Sequence, residues 1–130
     1  MGKEIESAKM AGTYKDAERT IVVDLSIISF EDGGARVCYC PALDVYGYGN
    51  DEQEAIDSLG ISMEEFFRYS LAKKTLISEM EKLGWTIKKQ KRFTPPNLSH
   101  LLKQNKDFNK IFNTRDFHKI NAGFAIPAVC

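Results

Sequence analysis

The chain has 130 residues, of which 43% are hydrophobic, and it balances 18 Lys+Arg against 18 Asp+Glu for a formal net charge of zero. That apolar share can bury a core, so a fully disordered chain is excluded, and the length fits a single domain. No apolar run nears the roughly 18–20 residues that span a bilayer, and Met1 to Arg19 is too polar for a leader, so neither membrane insertion nor secretion is expected.

Residues 1–19 scatter Ile5, Met10 and Tyr14 without a period and read as a loose arm. Thr20 to Phe30 reads as a strand, with Ile21, Val23, Leu25 and Ile27 on one face at period two. Gly33-Gly34 supplies a turn, Ala35 to Cys40 a second strand, and Pro41 ends it for want of an N–H. Asp44 to Gly49 reads as a third strand, in which Gly47 and Gly49 let the following helix come close. Asp51 and Glu54 have the spacing of a capping box, and Ala55, Ile56, Leu59, Met63, Phe66 and Phe67 then recur at helical spacing. A shorter helix from an N-cap at Thr75 to Leu83, closed by Gly84, leads to a fourth strand at Trp85 to Lys88. Thr94-Pro95-Pro96-Asn97 is a break. Beyond it come two short helices around Leu98–Leu102 and Phe108–Phe112, then a terminal strand over Phe117 to Ile126.

The expected fold is therefore α+β. A small, mostly antiparallel sheet in the order β-β-β-α-α-β carries one long helix packed on one face, plus a short mixed helical and strand C-terminal extension. The segments are 1–19 as arm, 20–92 as the domain and 93–130 as the extension.

Charge divides along the same line. Positions 1–87 hold 9 basic and 16 acidic residues, a net of −7, and positions 88–130 hold 9 and 2, a net of +7. Either an acidic module and a basic arm serve different partners, or the two halves pack on each other with opposite fields. The first is the working expectation. The basic cluster Lys88, Lys89, Lys91 and Arg92, with Lys103 and Lys106 beyond it, could then contact nucleic-acid phosphates. A helix-turn-helix over 97–113 fits poorly, because Asn105-Lys106-Asp107 lacks the usual glycine.

Catalytic chemistry finds little support. A ribonuclease H-type site would need several carboxylates to hold two metal ions; Asp24 and Asp44 are available, but the fourth strand offers Lys88 and Lys89 instead. Cys38 or Cys40 would need a histidine base, and His118 reaches them only by a fold-back that the sequence does not specify. The three cysteines suit neither a disulfide framework nor a metal site. They read as reduced, small apolar residues, with a cytoplasmic location as the default. No enzyme activity, metal or cofactor is expected.

The central segment resembles the HicB-like antitoxin family. The likeness covers about residues 20–88 and rests on Cys40-Pro41-Ala42-Leu43 followed by Tyr48-Gly49-Asn50-Asp51-x-x-Glu54-Ala55. It departs from the family at Val45-Tyr46, where a Gly-Cys pair is common. The resemblance implies a partial ribonuclease H-like domain stripped of catalytic acids. It also implies, as partner, a small basic RNA-cleaving toxin of the HicA type, with operator DNA as a second partner. The expected toxin contacts are Tyr39, Pro41, Leu43, Asp44, Tyr46 and Tyr48, on the sheet face and loops away from the long helix, because aromatics suit interface anchors. The alternative is a stand-alone nucleic-acid-binding or regulatory protein working through the basic arm. A homo-oligomer is expected under either reading, for instance a dimer through the strand around Phe124-Ala125-Ile126, since short open sheets leave edges to cover.

Overall fold

A computed structural model describes residues 4–10, 19–88 and 92–128, and side chains over 22–88 and 92–125. It is an α+β structure built on a five-stranded sheet. The strands are β1 (Glu4–Met10), β2 (Arg19–Asp32), β3 (Ala35–Cys40), β4 (Val45–Gly49) and β7 (Phe117–Ala128), in the spatial order β1-β7-β2-β3-β4. All neighbours are antiparallel except β1, which runs parallel to β7. A separate hairpin joins β5 (Thr86–Lys88) to β6 (Arg92–Thr94).

The long helix α1 (Glu52–Ala72) starts where the sequence marks it. Asp51 accepts from the Glu54 N–H at 2.8 Å, and Glu54 reaches back to the N–H of Asn50 at 2.9 Å, one residue ahead of the position a reciprocal box would use. Its buried stripe of Ala55, Ile56, Leu59, Met63, Phe67 and Leu71 lies on one sheet face over Leu25, Ile27, Cys38 and Cys40. The shorter α2 (Leu76–Lys82), Trp85 and Phe93 extend this cluster, and Trp85 Nε1 donates to the Ala42 carbonyl at 2.7 Å. The close approach expected at the glycines is present: a Cβ on Gly47 would stand 2.3 Å from the Leu59 nitrogen, and one on Gly49 would stand 2.4 Å from Glu54 Cβ.

The other face is also covered. Helices α3 (Leu98–Gln104) and α4 (Lys106–Thr114) meet at Asn105 and press Leu101 and Phe108 onto Ile28, Phe30, Val37 and Tyr39. The chain thus forms three layers, with a hydrophobic cluster on each side of the sheet.

Four expectations change. Residues 4–10 are not part of a loose arm but a strand on β7; their polar sequence carries no period because backbone pairing holds them there. The strand after Gly84 does not enter the main sheet, since β7 has taken the place beside β2 along Arg19 to Phe30. The segment from 93 onward is consequently not an appendage: β7 lies inside the sheet. For the same reason the strand is flanked by β1 and β2 over Lys119 to Phe124, which leaves no edge for a dimer along that stretch. Among the described residues no helix is long and apolar enough to cross a membrane.

Candidate functional site

Period-two alternation sends Tyr39, Tyr46 and Tyr48 to the same sheet face, on the neighbouring strands β3 and β4. They form a graded row. Tyr39 is fully buried, Tyr46 is half-buried with its ring centroid 4.3 Å from that of Tyr39, and Tyr48 is 60% exposed. The Tyr46 and Tyr48 rings lie 6.2 Å apart and nearly parallel, at 11°.

Beside them opens a cleft of roughly 600 Å³ between the sheet and α4. Phe30, Val37 and Ile111 give it an apolar lining, and Tyr46 and Tyr48 form one wall. Asp107, Lys110 and the ion pair of Arg115 with Asp32 (3.1 Å) add charge. Burial raises the Tyr46 phenol, and the carboxylates of Asp44 and Asp107 raise it further.

The row is locked at its inner end. The Tyr39 hydroxyl donates to Asp44 Oδ1 at 2.6 Å and accepts from Asn105 Nδ2 at 2.7 Å. Burial, together with Asp44, raises the Tyr39 phenol strongly, so it stays a neutral donor. Asn105 also caps α4, with its Oδ1 accepting from the Phe108 N–H at 3.0 Å.

The six expected toxin contacts therefore divide. Asp44 and Tyr48 are exposed, and Tyr46 is accessible in part. Tyr39, Pro41 and Leu43 are buried, which corrects the expectation that they line an open face. The reason is that α3 and α4 cover that face, while Ala42, between Pro41 and Leu43, is tied to Trp85. The cleft residues Asp107, Ile111 and Arg115 were not expected at the site. Their helical spacing is readable, but the sheet face that α4 chooses is set by tertiary packing.

The six basic candidates divide as well. Lys88 and Arg92 face each other directly across the β5–β6 hairpin and are both exposed. Lys89 and Lys91 lie outside the described residues. Lys103 and Lys106 are exposed on α3 and α4, in the layer across the sheet from the cluster that holds Phe93. Lys106 shares a shallow pocket with Lys82 and His100, but also with Asp44 and Asp107, so the field there is mixed.

The fold-back that would bring His118 toward the cysteines does occur. His118 and Cys38 stand on either side of Ser29 in register. Cys38 is nonetheless fully buried, and burial pushes its thiol up to about 11; Cys40 is pushed to about 12 in the same way. Neither is an activated nucleophile. Asp24 is exposed on β2 and Asp44 lies in the turn before β4. Among the described residues no group of three or more His, Cys, Asp or Glu converges where it could hold a metal ion.

No family model matches the chain, nor does any curated protein or solved structure.

Proposed function

We propose that the protein works by binding rather than by catalysis, as an antitoxin-like module that occludes a small basic RNA-cleaving toxin of the HicA type. The observation that carries this reading is the partly exposed Tyr46–Tyr48 pair beside an open cleft, with Asp44 and Asp107 acting on it. Exposed aromatics beside a pocket are the usual anchors of protein interfaces. The resemblance of residues 20–88 to HicB-like antitoxins points the same way. The test is co-expression with the small basic protein encoded beside this one. Growth should be rescued and the two chains should co-purify, and Tyr48→Ala should weaken both. Absence of a complex, with the toxin still active, sinks the reading.

A second reading, nucleic-acid binding, has one observation of its own. Lys88 and Arg92 are directly opposed like charges, and neither has an ion-pair partner among the described residues. Such a pair weakens a hairpin, and a phosphate backbone would relieve it. Arg92→Glu should stabilise the hairpin by about 0.2–1 kcal/mol through a cross-strand pair. The same change should lower affinity for nucleic acid. In a filter-binding titration, Lys88→Gln with Arg92→Gln should reduce the slope of log affinity against log salt by about two. An unchanged slope removes the hairpin as a phosphate site.

A further inference from the structure

The cleft beside α4 has two ends built from the same kinds of parts. At one end the chain supplies its own guanidinium. Arg115 lies over the Phe30 ring at 5.8 Å, pairs with Asp32 at 3.1 Å and donates to the Glu31 carbonyl at 3.4 Å. The walls there accept a planar cation laid on an aromatic ring and tied to a carboxylate.

The other end offers the ring and the carboxylate again. The Tyr46 and Tyr48 rings run parallel along the wall, and Tyr48 is open to solvent. Asp107 stands on the first turn of α4 with no ion-pair partner among the described residues. Asp44 adds a second carboxylate whose charge reaches Tyr46. Among the described residues no guanidinium other than that of Arg115 lines the cleft, and Lys110, one turn along α4 from Asp107, is its other cation.

We propose that this end of the cleft takes an arginine side chain from a basic protein partner, with the guanidinium against the Tyr46–Tyr48 rings and its N–H groups on Asp107. Arginine fits better than lysine, because a planar fork can stack and pair with a carboxylate at once. Stacked tyrosines could also hold a nucleobase. Arg115, however, is already paired with Asp32, so a phosphate would meet Asp107 and Asp44 with only Lys110 to offset them. The anchor rests on the binding-protein reading above and gives the chemistry of its contact.

The test uses the full chain and a short Gly-Ser peptide bearing one arginine, with its citrulline counterpart as the neutral control. Binding is followed by NMR of the tyrosine rings and backbone amides. The arginine peptide should shift the Tyr46 and Tyr48 rings and the Asp107 amide, and the citrulline peptide should not. Tyr48→Ala and Asp107→Asn should each weaken binding about fivefold or more. Both positions are exposed, and an unchanged amide spectrum elsewhere verifies the fold. Glu65→Gln on the solvent face of α1 should change nothing. Shifts spread evenly over α1, equal binding of the citrulline peptide, or binding of an oligouridylate at the tyrosines in place of the peptide would overturn the anchor. Toxin protection is scored separately. A chain that binds the peptide at the tyrosines but rescues no cell keeps the anchor and loses the antitoxin reading. Full rescue by both Tyr48→Ala and Asp107→Asn does the reverse.

Discussion

Tyr39 is the residue on which the covered face of the sheet is fastened. Its hydroxyl ties β3 to the turn before β4 through Asp44 and to the α3–α4 junction through Asn105. Tyr39→Phe keeps the ring but leaves the Asn105 amide without its acceptor. The expected cost is about 1–2 kcal/mol, the usual penalty for an orphaned, partly buried polar group. Asn105→Ala removes the α4 cap as well and should cost more, about 2–3 kcal/mol. Urea midpoints order the two variants, and wild-type midpoints in both would show that the network does not hold α3 and α4. Cys38 and Cys40 set a second expectation, with a defined sign. Their folded thiols titrate near 11 and 12, above the ordinary 9, because burial disfavours the thiolate. The unfolded chain therefore loses these protons first, and the folded state binds more protons once pH passes 9. Stability is fully present below pH 9 and declines as pH rises through 11 and 12, with Tyr39 adding to the decline from pH 10 upward. Urea midpoints that stay level across this alkaline range would contradict the burial of both thiols.

At the scale of elements, the contact between α1 and β4 was the most legible feature of the sequence. Gly47 and Gly49 sit two apart on a strand, followed at once by a capping pair, and the helix lies against the strand's backbone as that pattern implies. Gly47→Ala should therefore cost about 3 kcal/mol, because its Cβ meets the backbone of Leu59 and Ala55 and neither helix nor strand can yield locally. Gly33→Ala is the control. It meets open space, and its φ of +59° costs only about 1 kcal/mol. Thermal melts should separate the two, and similar midpoints would mean that α1 can slide away from β4. The helices α3 and α4 were legible as helices, through Leu98, Leu101, Phe108 and Ile111, but not as the cover of Tyr39. A short amphipathic helix states that it has an apolar face, and its own sequence does not state which apolar surface elsewhere will meet it. Half of the cleft was hidden for that reason. The tyrosine wall follows from period-two alternation, whereas Asp107, Ile111 and Arg115 join it only through the docking of α4.

For the whole molecule, the net charge of zero is shared between halves that interlock. Positions 1–87 are acidic and positions 88–130 basic, yet β7 from the basic half lies between β1 and β2 from the acidic half. The reading of two halves packed together thus describes the architecture, and the division into module and appendage does not. Local pattern could not show this, because β7 pairs with β2 across a long stretch of chain, and such pairing leaves no mark on either strand alone. It does fix what a truncation must do. A chain ending at Thr94 loses the partner of β2 from Arg19 to Phe30 and that of β1 throughout. It also bares Ile28, Phe30, Val37 and Tyr39, which are otherwise covered by α3 and α4. The remaining β2-β3-β4 sheet with α1 would bury only one face, with a wide apolar surface left in water. Such a fragment should show no cooperative thermal transition, poor amide dispersion by NMR and strong binding of a hydrophobic dye. Adding residues 95–130 as a separate chain should restore part of the native spectrum, because β7 and α3–α4 complete the sheet and its cover. A fragment that instead melts cooperatively near the full-length midpoint would mean that the acidic half carries a self-sufficient fold. The basic half would then be free to act apart from it.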